Sequence, residues 1–114
     1  MDRTDRISEE MKKEISKIIQ NELKDPRLPQ MISVISADVT RDLRYAKIYV
    51  SILGSEQEEE DGIKGLKSAS GFIRREIGHR LKLRYTPELL FELDHSIERG
   101  VYITKLINDT MSDK

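Results

Sequence analysis

Residues 62–86 read GIKGLKSASGFIRREIGHRLKLRYT, and this stretch decides the fold. Ile63, Leu66, Ile73, Ile77 and Leu81 recur at spacings built from three- and four-residue steps, the period of a helix with one face turned to a core. The remaining positions carry Lys64, Lys67, Arg74, Arg75, Arg80, Lys82 and Arg84 against a single acid, Glu76. That solvent side is positive and suits a polyanion. Ser68-Ala69-Ser70-Gly71 places four small residues in the middle, and glycine in a helix interior is unfavourable by roughly 1 kcal/mol relative to alanine. The pattern predicts helix, kink, helix, with the kink open to close approach by a backbone phosphate.

Upstream, Ile7, Met11, Ile15, Ile18, Ile19 and Leu23 form a one-sided stripe and predict a first helix. Thr4, Asp5 or Ser8 is a candidate cap for its start, and Pro26 is expected to end it because a residue before proline is pushed out of the helical region. Asp25-Pro26-Arg27-Leu28-Pro29 then reads as a stiff connector. Met31 to Thr40 is rich in β-branched residues, and Tyr45 to Leu53 alternates Ala46, Ile48, Val50 and Ile52 with Tyr45, Lys47, Tyr49 and Ser51. Two strands joined by Arg41-Asp42-Leu43-Arg44 predict an antiparallel hairpin, since a parallel pair needs a crossover of a dozen or more residues. Lys47 and Tyr49 should face outward. Gly54 to Asp61 (GSEQEEED) reads as an acidic surface loop. After Pro87, Leu89, Phe91 and Leu93 alternate with Leu90, Glu92 and Asp94 as a third strand, and Ile97, Val101, Leu106 and Ile107 return weakly to helical spacing. A single domain over residues 1–107 with a short frayed tail, 108–114, is expected.

At 114 residues the chain is long enough to bury about two-thirds of its unfolded surface. It has no cysteine, which excludes disulfides and thiolate chemistry and fits a reducing compartment. No apolar run approaches the roughly 18 residues of a membrane span, and the N-terminus lacks the features of a signal peptide, so a cytoplasmic protein is expected. Net charge is −1, which taken alone argues against nucleic acid. Its distribution reverses that inference. Residues 1–61 hold ten Lys/Arg and fourteen Asp/Glu, residues 62–86 seven and one, and residues 87–114 three and six. A basic element on an acidic protein is an electrostatic footprint that the whole-chain charge hides.

Other features carry less. Gly62-Ile63-Lys64-Gly65 is a literal G-x-x-G, but it follows the acidic loop instead of joining two helices and reads as a chance match. Glu56, Glu58, Glu59, Glu60 and Asp61 lack the alternating ligand spacing of a calcium loop; no metal or other cofactor is expected. His79 and His95 have no nucleophile or metal-ligand motif around them, so catalysis is not expected. With two Phe, four Tyr and no Trp, contact with nucleic acid should rest on phosphate and shape more than on stacking. The competing readings are a protein-binding module, in which the basic stretch is incidental, and, more distantly, a nuclease using Glu58, Asp61 or His79.

Four segments, taken together and in order, resemble the ribosome-binding factor A family: Lys24 to Leu28 (KDPRL), Thr40 to Val50 (TRDLRYAKIYV), Ser68 to Arg74 (SASGFIR) and Leu83 to Leu89 (LRYTPEL). The likeness covers roughly residues 6–107. It implies a type II KH-like α+β domain, in the order α-β-β-α-kink-α-β, with helices on one face of a three-stranded mixed sheet. It also implies an Ala-x-Gly kink at Ala69, Ser70 and Gly71 in place of G-x-x-G. Members associate with the free small ribosomal subunit and assist late maturation and processing of 16S rRNA, including its 5′-terminal helix, without catalysis. The expectation is thus a cytoplasmic, monomeric assembly factor with no small-molecule substrate and no membrane partner. Lys64, Lys67, Ser70, Gly71, Arg74, Arg75, Arg80, Lys82 and Arg84 are its expected RNA-binding residues. Members often carry a longer charged C-terminal extension than this chain shows.

Overall fold

The computed structural model describes residues 3–23 and 32–95. Within them the order is α1 (Arg3–Asn21), β1 (Ile32–Val39), β2 (Tyr45–Ile52), α2 (Glu56–Arg80) and β3 (Glu88–Leu93). Helix α1 buries Ile7, Met11, Ile15, Ile18 and Ile19, the stripe that its spacing dictates. Ser8 lies inside this helix and does not cap it; its hydroxyl accepts the Val39 N–H at 3.1 Å and ties α1 to β1. The expected Asp25–Pro29 connector, the weak helix from Ile97 and the 107/108 domain boundary lie outside the described residues.

Strand β2 occupies the middle of the sheet, antiparallel to β1 and parallel to β3. Ala46, Ile48, Val50 and Ile52 are all buried, and Leu89 and Phe91 of β3 pair with Ala46 and Ile48 on the same inward face. Lys47 is exposed on the other side. In β1 the strict alternation slips: Val34 pairs with Val50, but Ser36 pairs with Tyr49. Ile35 is the extra residue of a bulge. The slip puts Ile32 and Val34 before it, and Ala37 and Val39 after it, against one core.

Two expectations about the central stretch are corrected. GSEQEEED is not a loop beyond Ser55, because α2 begins at Glu56. The Ser55 hydroxyl accepts the Glu58 N–H at 3.2 Å, and the Glu58 carboxylate accepts the Ser55 N–H at 3.3 Å. This capping box satisfies two otherwise unpaired donors, and Glu56, Glu58 and Glu59 oppose the positive end of the helix. An acid-rich run that looks solvated is also what a helix start favours.

Second, the expected helix-kink-helix is one helix. The helix continues through Ala69, Ser70 and Gly71 to Arg80. The Ser70 hydroxyl donates to the Lys67 carbonyl at 2.7 Å, so it supports the preceding turn, and the small residues weaken the helix without ending it. Termination comes at Leu81, ten residues after Gly71. Lys82 adopts a left-handed φ of 53°, and the Leu83 N–H reaches back to the Gly78 carbonyl at 3.2 Å, the closure of a Schellman motif. Residues 81–86, expected in a second helix, are therefore a non-helical return segment leading to β3.

Candidate nucleic-acid interface

Lys64, Lys67, Gly71 and Arg74 follow one another by three- and four-residue steps, so they share one face of α2, and all four are exposed. Arg75 is exposed beside them. Gly71 has helical backbone, and a Cβ built on it would meet nothing within 4 Å. Neither the turn geometry nor the packing of the described residues requires glycine there.

The return segment lies against this face. Gly78 makes that possible: a Cβ on it would stand 2.5 Å from the Thr86 hydroxyl oxygen. Arg74 fastens the segment, donating from Nε and Nη2 to the Thr86 carbonyl at 3.1 and 2.8 Å. Arg84 thus joins the basic face from the return segment, not from the helix, while Lys82 is exposed just past the end of α2. The Arg84 guanidinium stands over the Tyr85 ring, 5.7 Å from its centroid. Between them opens a shallow cleft of about 360 Å³, lined by Gly71, Arg74, Arg75, Arg84, Tyr85 and Thr86.

A second cleft, about 630 Å³, continues from Arg74 and Tyr85 toward Arg44, Tyr45 and Glu88. It is shaped by the hairpin turn, where the Leu43 N–H donates to the Thr40 carbonyl at 2.9 Å and Leu43 takes a left-handed φ of 61°. Asp42 holds this turn by accepting the Thr40 hydroxyl at 2.7 Å and the Arg44 N–H at 3.1 Å. Those two hydrogen bonds, the Thr40 hydroxyl first, keep its carboxyl below the usual aspartate value. The Glu88 N–H donates to the Arg44 carbonyl at 2.8 Å, which joins the turn to the start of β3.

Arg80 stands apart from the expected set. It falls seven residues after Ile73 and three after Ile77, so it continues the core stripe instead of the basic one. Its guanidinium donates to Glu14 at 3.2 Å, to Glu76 at 3.3 Å and to Glu22. These partners, Glu22 foremost, raise its pKa. For Glu14, desolvation pushes the carboxyl upward, but hydrogen bonds from Arg80 and Lys17 outweigh it and hold the group below its ordinary value. Arg80 therefore links α1 to α2, and three carboxylates neutralise it toward an outside partner.

Gly62 and Gly65 are buried within α2, so the literal G-x-x-G is a packing feature. His79 is exposed, and His95 sits 3.3 Å from the Glu59 carboxylate. Among the described residues no group of three or more His, Cys, Asp or Glu is placed to hold a metal ion, and no helix is long and apolar enough to cross a membrane. The sequence reading missed Gly78, Thr86, Arg44 and Tyr85. A helix extended to Thr86 conceals Tyr85, although Leu83, two residues after Leu81, already departs from the three-and-four spacing of the core stripe.

Fold and face together define a small α+β domain, two helices on a mixed three-stranded sheet, that presents a basic concave surface suited to a polyanion. A solution structure of a Thermotoga maritima protein superposes with a TM-score of 0.72 at 33% identity, covering 79% of this chain and 85% of that one. A homology model of Thermus thermophilus ribosome binding factor A, fitted into the cryo-EM map of a 30S complex, superposes at 0.65 with 24% identity over 77% of this chain and 91% of that one. In sequence, the ribosome-binding factor A of Acetivibrio thermocellus is 69% identical over 110 residues, 96% of this chain and 89% of that protein. The family model for ribosome-binding factor A matches residues 3–107. The chain belongs to the ribosome-binding factor A family.

Proposed function

We propose that this chain binds the free small (30S) ribosomal subunit in the cytoplasm and assists late maturation and processing of its 16S rRNA, near the 5′-terminal helix, as a monomeric, non-enzymatic factor. Lys64, Lys67, Ser70, Gly71, Arg74, Arg75, Lys82 and Arg84 contact rRNA phosphates in this reading, and Arg80 serves the fold. Gly71 is the observation that carries it. A glycine in helical backbone lowers helix stability by roughly 1 kcal/mol, and here it has open space around it and cations on either side. Its absent side chain serves something that approaches from outside. Family membership and the 30S complex into which the Thermus protein was fitted support the same reading. By binding one rRNA arrangement more tightly than its alternatives, the protein shifts the subunit toward that arrangement and makes or breaks no bond.

The test is co-sedimentation with free small subunits across a salt series. Lys67→Glu with Arg75→Glu reverses two exposed cations while leaving Arg74 on Thr86, so the fold is retained and binding is lost. The parent's affinity should fall steeply as salt rises. Gly71→Val should fold and bind poorly. Undiminished binding by the double variant would remove this face from the contact.

A further inference from the structure

We propose that Tyr85 is a stacking platform for an unpaired RNA base, so that this face receives a single-stranded segment or a junction and not the flank of a continuous duplex. The proposal rests on the RNA-binding reading above and assigns the kind of RNA that the site takes. Tyr85 is 71% exposed, more than any other large apolar side chain among the described residues. Isolated exposed rings are ordinary; this one stands where two clefts meet, with a guanidinium over it. The clefts differ in chemistry. One is walled by Arg74, Arg75 and Arg84 and suits phosphate. The other sets Asp42 and Glu88 against Arg44 and Arg74, beside Tyr45, so its charges balance; it lacks the cationic excess that draws phosphate and offers both donors and acceptors to the edge of a base. At about 630 Å³ it falls within the range of small-ligand sites, roughly 300–1,000 Å³. A nucleotide laid across Tyr85 places its phosphate in the cationic cleft and its base in the mixed one. The flank of a continuous duplex cannot do this, because its interior base faces are already stacked.

The measurement is fluorescence anisotropy of a short unstructured RNA and of a blunt duplex of the same sequence. The proteins compared are the parent, Tyr85→Ala, Tyr85→Phe and the Lys67→Glu/Arg75→Glu variant, with a melting curve for each. Tyr85→Ala should weaken single-stranded binding about tenfold, the loss expected for one stacked base, with an unchanged salt slope. Tyr85→Phe should retain affinity, and the duplex should not distinguish Tyr85→Ala from the parent. Parent-like binding of the single strand by Tyr85→Ala overturns the stacking proposal, as does an equal loss on the duplex. If the charge-reversed variant still weakens binding in that case, the phosphate reading stands alone. If neither variant weakens it, both readings fall.

Discussion

Gly78→Ala is expected to destabilise this protein even though alanine is favoured over glycine in a helix by about 1 kcal/mol. The new Cβ would lie 2.5 Å from the Thr86 hydroxyl oxygen, whereas ordinary contact begins at 3.4 Å, so either Thr86 leaves its present rotamer or helix and return segment part by about 0.9 Å. Overpacking of this size costs roughly 1–3 kcal/mol. Displacing Thr86 also stretches the two bonds that its carbonyl accepts from Arg74, now 2.8 and 3.1 Å. After the helix gain is set against these losses, the net effect is a destabilisation of about 1–2 kcal/mol. Thr86→Ala removes the offending oxygen, and the nearest remaining Thr86 atom is its Cβ at 3.7 Å, an ordinary contact. In that background Gly78→Ala should stabilise by up to about 1 kcal/mol. A double-mutant cycle in urea, followed by circular dichroism, should therefore show a coupling of about 2 kcal/mol or more. Equal effects of Gly78→Ala in both backgrounds would mean that the return segment does not bear on the helix at this point.

The other expectations concern the helix and its cross-link. Gly71→Ala should raise stability by about 1 kcal/mol, visible as a higher melting temperature, because its Cβ enters open space. Lys82→Gly should also raise it, by roughly 1 kcal/mol, by removing the left-handed strain of a residue with φ 53°; the lost cation should lower the salt slope of RNA binding by about one. Ser55→Ala, which removes the capping box of α2, should cost about 1 kcal/mol in urea denaturation. Glu14 has a folded-state pKa below its ordinary 4.5, so its contribution is fully present above pH 4.5 and is lost as pH falls through the lowered folded value. Arg80→Met should depress the melting temperature most at neutral pH and should flatten this acid limb. A limb unchanged in the variant would show that Arg80 does not set the Glu14 carboxyl.

What could be read from the chain followed from periodicity. Ile7 to Ile19 and Ala46 to Ile52 are long, regular stripes, and both fell where their spacing put them. A single inserted residue, Ile35, interrupted the period of β1, and no local pattern distinguishes such a bulge from an ordinary apolar run. Residues 54–61 misled because acid density is shared by solvated loops and by the first turn of a helix; the Ser55-x-x-Glu58 spacing was the discriminating signal. The site was legible as charge but not as shape. Seven cations in one stretch suit a polyanion, yet only angular position separates Arg80, which continues the core stripe into three carboxylates, from Arg74 and Arg75 on the open face. The long-range half of the site was invisible for a different reason. Arg74 meets Thr86 twelve residues away, and Tyr85 shares a cleft with Tyr45 only because β3 pairs in parallel with β2 and brings Glu88 beside Tyr45. A basic helix alone would bind any polyanion with little preference. The return segment, held to that helix at Gly78 and Arg74, adds a fixed concave wall and an exposed ring, and under the proposed function those are the features by which one RNA shape would be told from another.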